Sequence, residues 1–116
     1  MQELTVTVLR EPGFAVLRTS GYLNHLGAER VEEAYEELVR TGYSCIVFNL
    51  AGSPLINSMG WAILLGIIEK NLERRGRLLF CCLTEVNAET MEIMDITQYV
   101  ELLPTEEQAR RRLGGG

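Results

Sequence analysis

Several features that announce chemistry are scarce or missing here. The chain has one histidine, His25, and three cysteines, Cys45, Cys81 and Cys82. An odd cysteine count without metal-ligand spacing argues against a disulfide framework and against a zinc site. The thiols read as reduced, strand-buried side chains of a cytoplasmic protein. Basic residues are few: 11 Lys+Arg stand against 16 Asp+Glu, a net charge of -5. No basic cluster lies beside aromatic residues, so nucleic acid is not an expected partner. The one dense basic run, Arg110-Arg111-Arg112, reads as the end of a helix, where cations suit the dipole. The longest apolar run, Trp61 to Ile68, is interrupted by Gly66 and is far too short to cross a bilayer. Met1-Gln2-Glu3-Leu4 lacks the basic-then-apolar pattern of a signal peptide, so neither secretion nor membrane insertion is expected.

Catalytic signatures are missing too. Neither Ser53 nor Ser58 lies in a G-x-S-x-G elbow, and the chain contains no G-x-x-x-x-G-K-[ST] or G-x-G-x-x-G loop. His25 has no evident base–orienter partner, and the densest group of carboxylates, Glu29, Glu32, Glu33, Glu36 and Glu37, falls on the outer face of one helix, the pattern of a solvated surface. No enzymatic activity, cofactor or metal is expected.

What is present is a regular alternation of elements. The 116 residues suit one domain with one core. Thr5–Leu9 and Phe14–Thr19 read as strands joined at Glu11-Pro12-Gly13 in a hairpin. Gly21–His25 reads as a loop. A helix over Gly27–Arg40 follows, with Ala28, Val31, Ala34, Tyr35, Leu38 and Val39 at helical spacing, an acidic outer face, and Gly42 at its end. Cys45–Leu50 is almost unbroken apolar, as a central strand buried on both faces requires. A second helix spans Ser58–Arg74, a strand Arg77–Leu83, and a third helix Val86–Ile96, with Val86, Met91, Ile93 and Met94 as its apolar positions. A short strand over Gln98–Leu103 precedes a last helix, with Pro104 at its first position. The fold class is α/β: β-β-α-β-α-β-α-β-α, a mostly parallel sheet with an N-terminal hairpin and helices packed on it. The expected domain is 1–113, with a flexible glycine tail over 114–116. Ligand surfaces of such sheets lie beyond the carboxyl ends of the strands, which singles out the loops at Gly21–Leu26 and Ala51–Ser58.

Asn57-Ser58-Met59-Gly60 opens the second helix. A hydroxyl there meets unpaired N–H groups and positive dipole charge. It can cap the helix, help to bind an anion, or accept a phosphate. Asn57 is an equally good cap, which leaves Ser58 free for another role.

Three segments together resemble the STAS domains of bacterial anti-sigma factor antagonists. Gly21-Tyr22-Leu23-Asn24 is similar to the family's G-x-L-D. The run from Ile46 to Gly60 is similar to its signature of an apolar strand, D/N-L, a short loop and D-S-[ST]-G. Gly76-Arg77-Leu78-Leu79-Phe80 is similar to the strand that follows. The resemblance implies a protein that binds a GHKL-type anti-sigma factor kinase, is phosphorylated by it on Ser58 and released, and is reset by a metal-dependent serine/threonine phosphatase. The implied partner surface comprises Asn24, Asn57, Ser58, Met59, Gly60 and Trp61, with Gly60 letting the partner approach the helix start. The chain departs from the pattern at Asn24, Asn49 and Asn57, where Asp is usual or common, and at Met59, where a second hydroxyl is usual. Trp61 has two readings, an exposed interface anchor or a core side chain. The departures keep a second role open: an interaction module of a non-sigma assembly, such as a lipid-transport ABC complex. A third role, nucleotide binding near Gly52 and Ser53, competes with a plain loop bend. The sequence is silent on oligomeric state.

Overall fold

The computed structural model describes residues 2–114. Strands β1 (Thr5–Glu11) and β2 (Phe14–Ser20) form the expected antiparallel hairpin. Helix α1 (His25–Arg40), β3 (Cys45–Gly52), α2 (Ser58–Glu73), β4 (Arg77–Cys81), α3 (Glu85–Ile93), β5 (Glu101–Leu103) and α4 (Glu106–Arg112) follow. The sheet order is β1-β2-β3-β4-β5, with every pairing after the hairpin parallel.

This order has a direct consequence. Each crossover steps to the neighbouring strand in the same direction, so like-handed crossovers put α1, α2 and α3 on one face of the sheet. Alternation along the strands serves both faces. Ala15, Leu17, Ile46, Phe48, Leu78 and Phe80 pack against α1 and α2. Phe14, Val16, Val47, Leu79 and Cys81 point the other way, where Ala109 of α4 covers them. β3 lies in the middle of the sheet, and its Ile46, Val47, Phe48 and Leu50 are buried.

Polar links fasten α4 to its face. Arg18 donates twice to Glu106, at 2.9 and 2.7 Å; Asn49 Nδ2 donates to the same carboxylate at 2.9 Å, and Arg110 Nε at 3.0 Å. Hydrogen bonds from Arg18, with help from Asn49 and Arg110, hold the Glu106 carboxyl down to about 2.

Several boundaries differ from those read in the sequence. α1 starts at His25, because Asn24 is its N-cap and Gly21–Asn24 is the whole of the loop. β4 ends at Cys81, since Cys82 takes a left-handed backbone conformation with φ 62°. β5 is confined to Glu101–Leu103. Pro104 precedes the N-cap Thr105 and so lies outside α4. α3 is shorter than expected and is rotated: Val86 and Ile93 are 69% and 84% exposed. The inward positions are Asn87 and Met91, and the Asn87 side chain donates to the Pro54 carbonyl at 3.2 Å. Gly114 donates its N–H to Arg111 in the turn after α4; the rest of the expected glycine tail, Gly115 and Gly116, lies outside the described residues.

Candidate partner-binding surface at two helix N-termini

The loops after β2 and β3 end in the same four-residue pattern, Asn24-His25-Leu26-Gly27 and Asn57-Ser58-Met59-Gly60. Each asparagine is extended and caps its helix: Asn24 Oδ1 accepts from Gly27 N at 2.9 Å, and Asn57 Oδ1 from Gly60 N at 2.8 Å. The two helix starts are tied together through Leu23. Its N–H donates to Leu55 at 3.0 Å, its carbonyl accepts from Asn57 N at 3.1 Å, and it forms an isolated parallel bridge with Ile56. Leu23 itself is buried. Two helix N-termini therefore lie side by side, beyond the carboxyl ends of β2 and β3.

Both glycines serve this junction. A Cβ on Gly60 would lie 2.1 Å from the Leu23 carbonyl oxygen, and one on Gly27 would lie 2.5 Å from that of Tyr22. The contact that requires Gly60 is thus internal: the chain's own loop backbone approaches the helix start.

The remaining positions face outward. Ser58 is exposed as the first residue of α2. Since Asn57 takes the cap, no intramolecular hydrogen bond engages the Ser58 hydroxyl among the described residues. Met59 is 48% exposed. Trp61, in contrast, is only 9% exposed and belongs to the main core, so of its two readings the structure supports packing. Two flanking residues escaped the sequence reading: Leu26, 68% exposed, and Leu55, 53% exposed. Their signal was available in principle, because Leu26 repeats Met59's position in the Asn-x-x-Gly pattern. The two loops and first turns that carry the Ser58 hydroxyl thus also expose Leu26, Leu55 and Met59.

Charge distinguishes these two helices from the others. Neither α1 nor α2 has an acidic residue in its first turn, whereas α3 carries Glu85 there and α4 carries Glu106 and Glu107. Their positive dipole ends are unopposed by neighbouring first-turn carboxylates.

Gly52 and Ser53 have structural duties. Ser53 is buried, with its hydroxyl 2.7 Å from that of Thr19, and a Cβ on Gly52 would lie 2.4 Å from the Thr19 carbonyl oxygen. They form the loop bend that competed with the nucleotide reading. Among the described residues, no group of three or more His, Cys, Asp or Glu side chains could hold a metal, and no helix is long and apolar enough to cross a membrane.

The STAS domain family model matches residues 5–109. This chain belongs to the STAS domain family. Solved structures with the same STAS fold include an anti-sigma factor antagonist from Mycobacterium paratuberculosis, at 20% identity and TM-score 0.82, covering 97% of this chain and 95% of that one. The anti-sigma factor antagonist SpoIIAA in its unphosphorylated form aligns at 18% identity and TM-score 0.77, over 97% of this chain and 98% of that one. The phosphorylated form of SpoIIAA, described as a Bacillus cell fate determinant, aligns at 18% identity and TM-score 0.75, over 94% and 99%. At these identities the likeness is one of fold. In the STAS frame, Ser58 stands at the helix start after the central strand, and Asn57 occupies the preceding capping position.

Proposed function

We propose that this STAS domain is an anti-sigma factor antagonist. It binds a GHKL-type anti-sigma factor kinase through the paired helix starts and is switched off by phosphorylation of Ser58. One observation carries the reading. The Ser58 hydroxyl is exposed and uncommitted, because Asn57 alone caps α2. Asn24, Asn57 and Gly60 shape the surface, Met59 contributes contact, and Trp61 holds the first turn of α2 on the core from beneath.

A phosphate on Ser58 adds roughly -1.5 to -2 charge. The first-turn N–H groups and the unopposed dipole tolerate it, so the domain stays folded. A partner seated on Leu26, Leu55 and Met59 would have to desolvate a dianion. Without a matching cation that costs several kcal/mol, on the order of a thousand-fold in affinity. Hydrolysis by a serine/threonine phosphatase would restore binding. The expected role is regulatory rather than enzymatic.

The test is a pulldown from the native bacterium with wild type, Ser58→Ala and Ser58→Asp, with partners identified by mass spectrometry. Wild type and Ser58→Ala should retain a GHKL-type kinase that Ser58→Asp loses. Equal retention by Ser58→Asp would sink the switch.

A second reading has its own support. Asn24, Asn57 and Met59 leave the exposed rim without a carboxylate or second hydroxyl that a cognate kinase could read. The same surface would then serve a non-sigma assembly, and the pulldown would recover permease or ABC-transporter components instead.

A further inference from the structure

We propose a second docking surface, at the groove between the C-terminal half of α2 and the turn joining α3 to β5. Its occupant is a basic amphipathic helix of a partner protein. The groove has a volume of about 460 Å³ and is lined by Leu65, Ile68 and Leu72 from α2 and by Met94, Ile96 and Tyr99 from the turn. The α2 residues recur at i, i+3 and i+7, one helix face on which Ile68 is buried in the main core and Leu65 packs partly against it. Yet Leu72 and Tyr99 are exposed, and Ile93, which precedes the lining residue Met94 in the chain, is 84% exposed. The rotation of α3 leaves Val86 exposed as well. Clustered large apolar side chains on a surface mark an interaction site more often than isolated ones do.

Charge decides the occupant. Between Arg77 and Arg110 the chain contains no Lys, Arg or His. Glu69 and Asp95 line the groove itself, and Glu92 precedes Ile93. Several carboxylates elsewhere are neutralised: Glu32 and Glu36 by Lys70, Glu101 by Arg77, Glu106 by Arg18 and Arg110. Among the described residues, Glu69, Glu73, Glu89, Glu92 and Asp95 take part in no ion pair. Lys70 and Arg74, the cations on the same stretch of α2, are engaged by α1 carboxylates, while Arg75, just past the end of the helix, takes part in none of the ion pairs among the described residues. An apolar groove bordered by uncompensated carboxylates complements a helix with an apolar stripe and Lys or Arg beside it. The stripe from Leu65 to Leu72 runs roughly 10 Å, enough for two turns of such a helix.

This surface is separate from the one around Ser58. Glu69, the α2 carboxylate of the groove, lies 11 positions further along α2 than Ser58, roughly 16 Å of helix, about two Debye lengths at physiological salt. Occupancy of the groove is therefore indifferent to charge at Ser58, and its failure would leave the switch untouched.

The experiment titrates isotope-labelled protein with a synthetic Leu/Lys amphipathic helix of about four turns, using as control a peptide with the same apolar positions and Glu for Lys. Amide shifts are expected to cluster at 65–72 and 93–99 for the Lys peptide alone. Glu69→Lys with Glu92→Lys should weaken binding about tenfold or more, Ile93→Ser should weaken it further, and Ser58→Asp should leave Kd unchanged. Both glutamates are exposed and free of ion pairs, so the charge-reversed protein should keep its native spectrum. Shifts elsewhere, equal binding of the Glu peptide, or indifference to charge reversal would overturn the proposal. So would a concentration-dependent dimer abolished by Ile93→Ser, which would assign the groove to a second copy.

Discussion

The Leu23 carbonyl accepts from Asn57 N at 3.1 Å, and the Cβ that Gly60 lacks would lie 2.1 Å from that same oxygen. One backbone atom thus sets both the start of α2 and the residue type three positions on. The helix start is held against the loop for this reason, with Ser58 and Met59 exposed between the cap and the glycine.

Gly60→Ala should destabilise the domain by about 1–3 kcal/mol, as overpacking against backbone does. Gly66→Ala is the matched control. A Cβ there meets nothing within 4 Å, so it should stabilise by up to about 1 kcal/mol through helix propensity. Urea unfolding of both variants checks the pair.

Asn57→Ala removes the α2 cap and should cost about 1 kcal/mol. Ser58→Ala removes a hydroxyl that holds nothing and should change stability by less than about 0.5 kcal/mol. Reversal of that order in thermal melts would mean that Ser58, not Asn57, is the working cap. Asn57→Asp should keep or slightly raise stability, since Asp caps as well and suits the dipole. It should make phosphorylation of Ser58 more destabilising, by placing like charges side by side.

Acid should loosen α4 first. Glu106 is held down to about 2, chiefly by its hydrogen bonds from Arg18. A carboxyl lowered on folding contributes stability that is present above its unfolded value and lost as pH falls through its folded one. Stability should therefore decline from about pH 4.5 towards pH 2. Glu36 and Glu101, also lowered by hydrogen bonds from Arg74 and Arg77 respectively, act in the same direction. In Glu106→Gln the decline should be shallower and neutral-pH stability lower, as acid titrations followed by circular dichroism would show. Asn49→Asp should raise the Glu106 pKa and destabilise by about 1–3 kcal/mol, because the donor 2.9 Å from the carboxylate becomes a second anion.

Cys81 is buried, and burial pushes its thiol up, with Cys82 adding in the same direction. Native protein treated with iodoacetamide at mildly alkaline pH should be alkylated at the partly exposed Cys45 and Cys82 while Cys81 is spared. Denaturant should remove the difference, and peptide mass mapping would read it.

Element order, parallel sheet and hairpin were legible along the chain, because each rests on periodicity or turn residues within a dozen positions. Cys45–Leu50 is apolar at nearly every position and does lie mid-sheet. A cap at the start of α2 was legible for the same reason, but Asn57 and Ser58 were equal candidates in the sequence, and the structure gives the cap to Asn57. The start of α1 was less so, since Gly21–His25 carries loop-forming residues that disguise Asn24 as part of the bend.

The sequence by itself determined the elements, the family and the hydroxyl at the start of α2, all of which are local in the chain. Only the tertiary structure decided which faces are hidden. Val86 and Ile93 are apolar yet exposed, because α3 is turned to bring Asn87 onto the Pro54 carbonyl, 33 residues earlier. Trp61 packs into the core while Met59, two residues away, does not. The pairing of the two helix starts through Leu23 joins segments that no local pattern relates. Burial depends on what the rest of the chain brings near a side chain, and spacing along the chain cannot supply that.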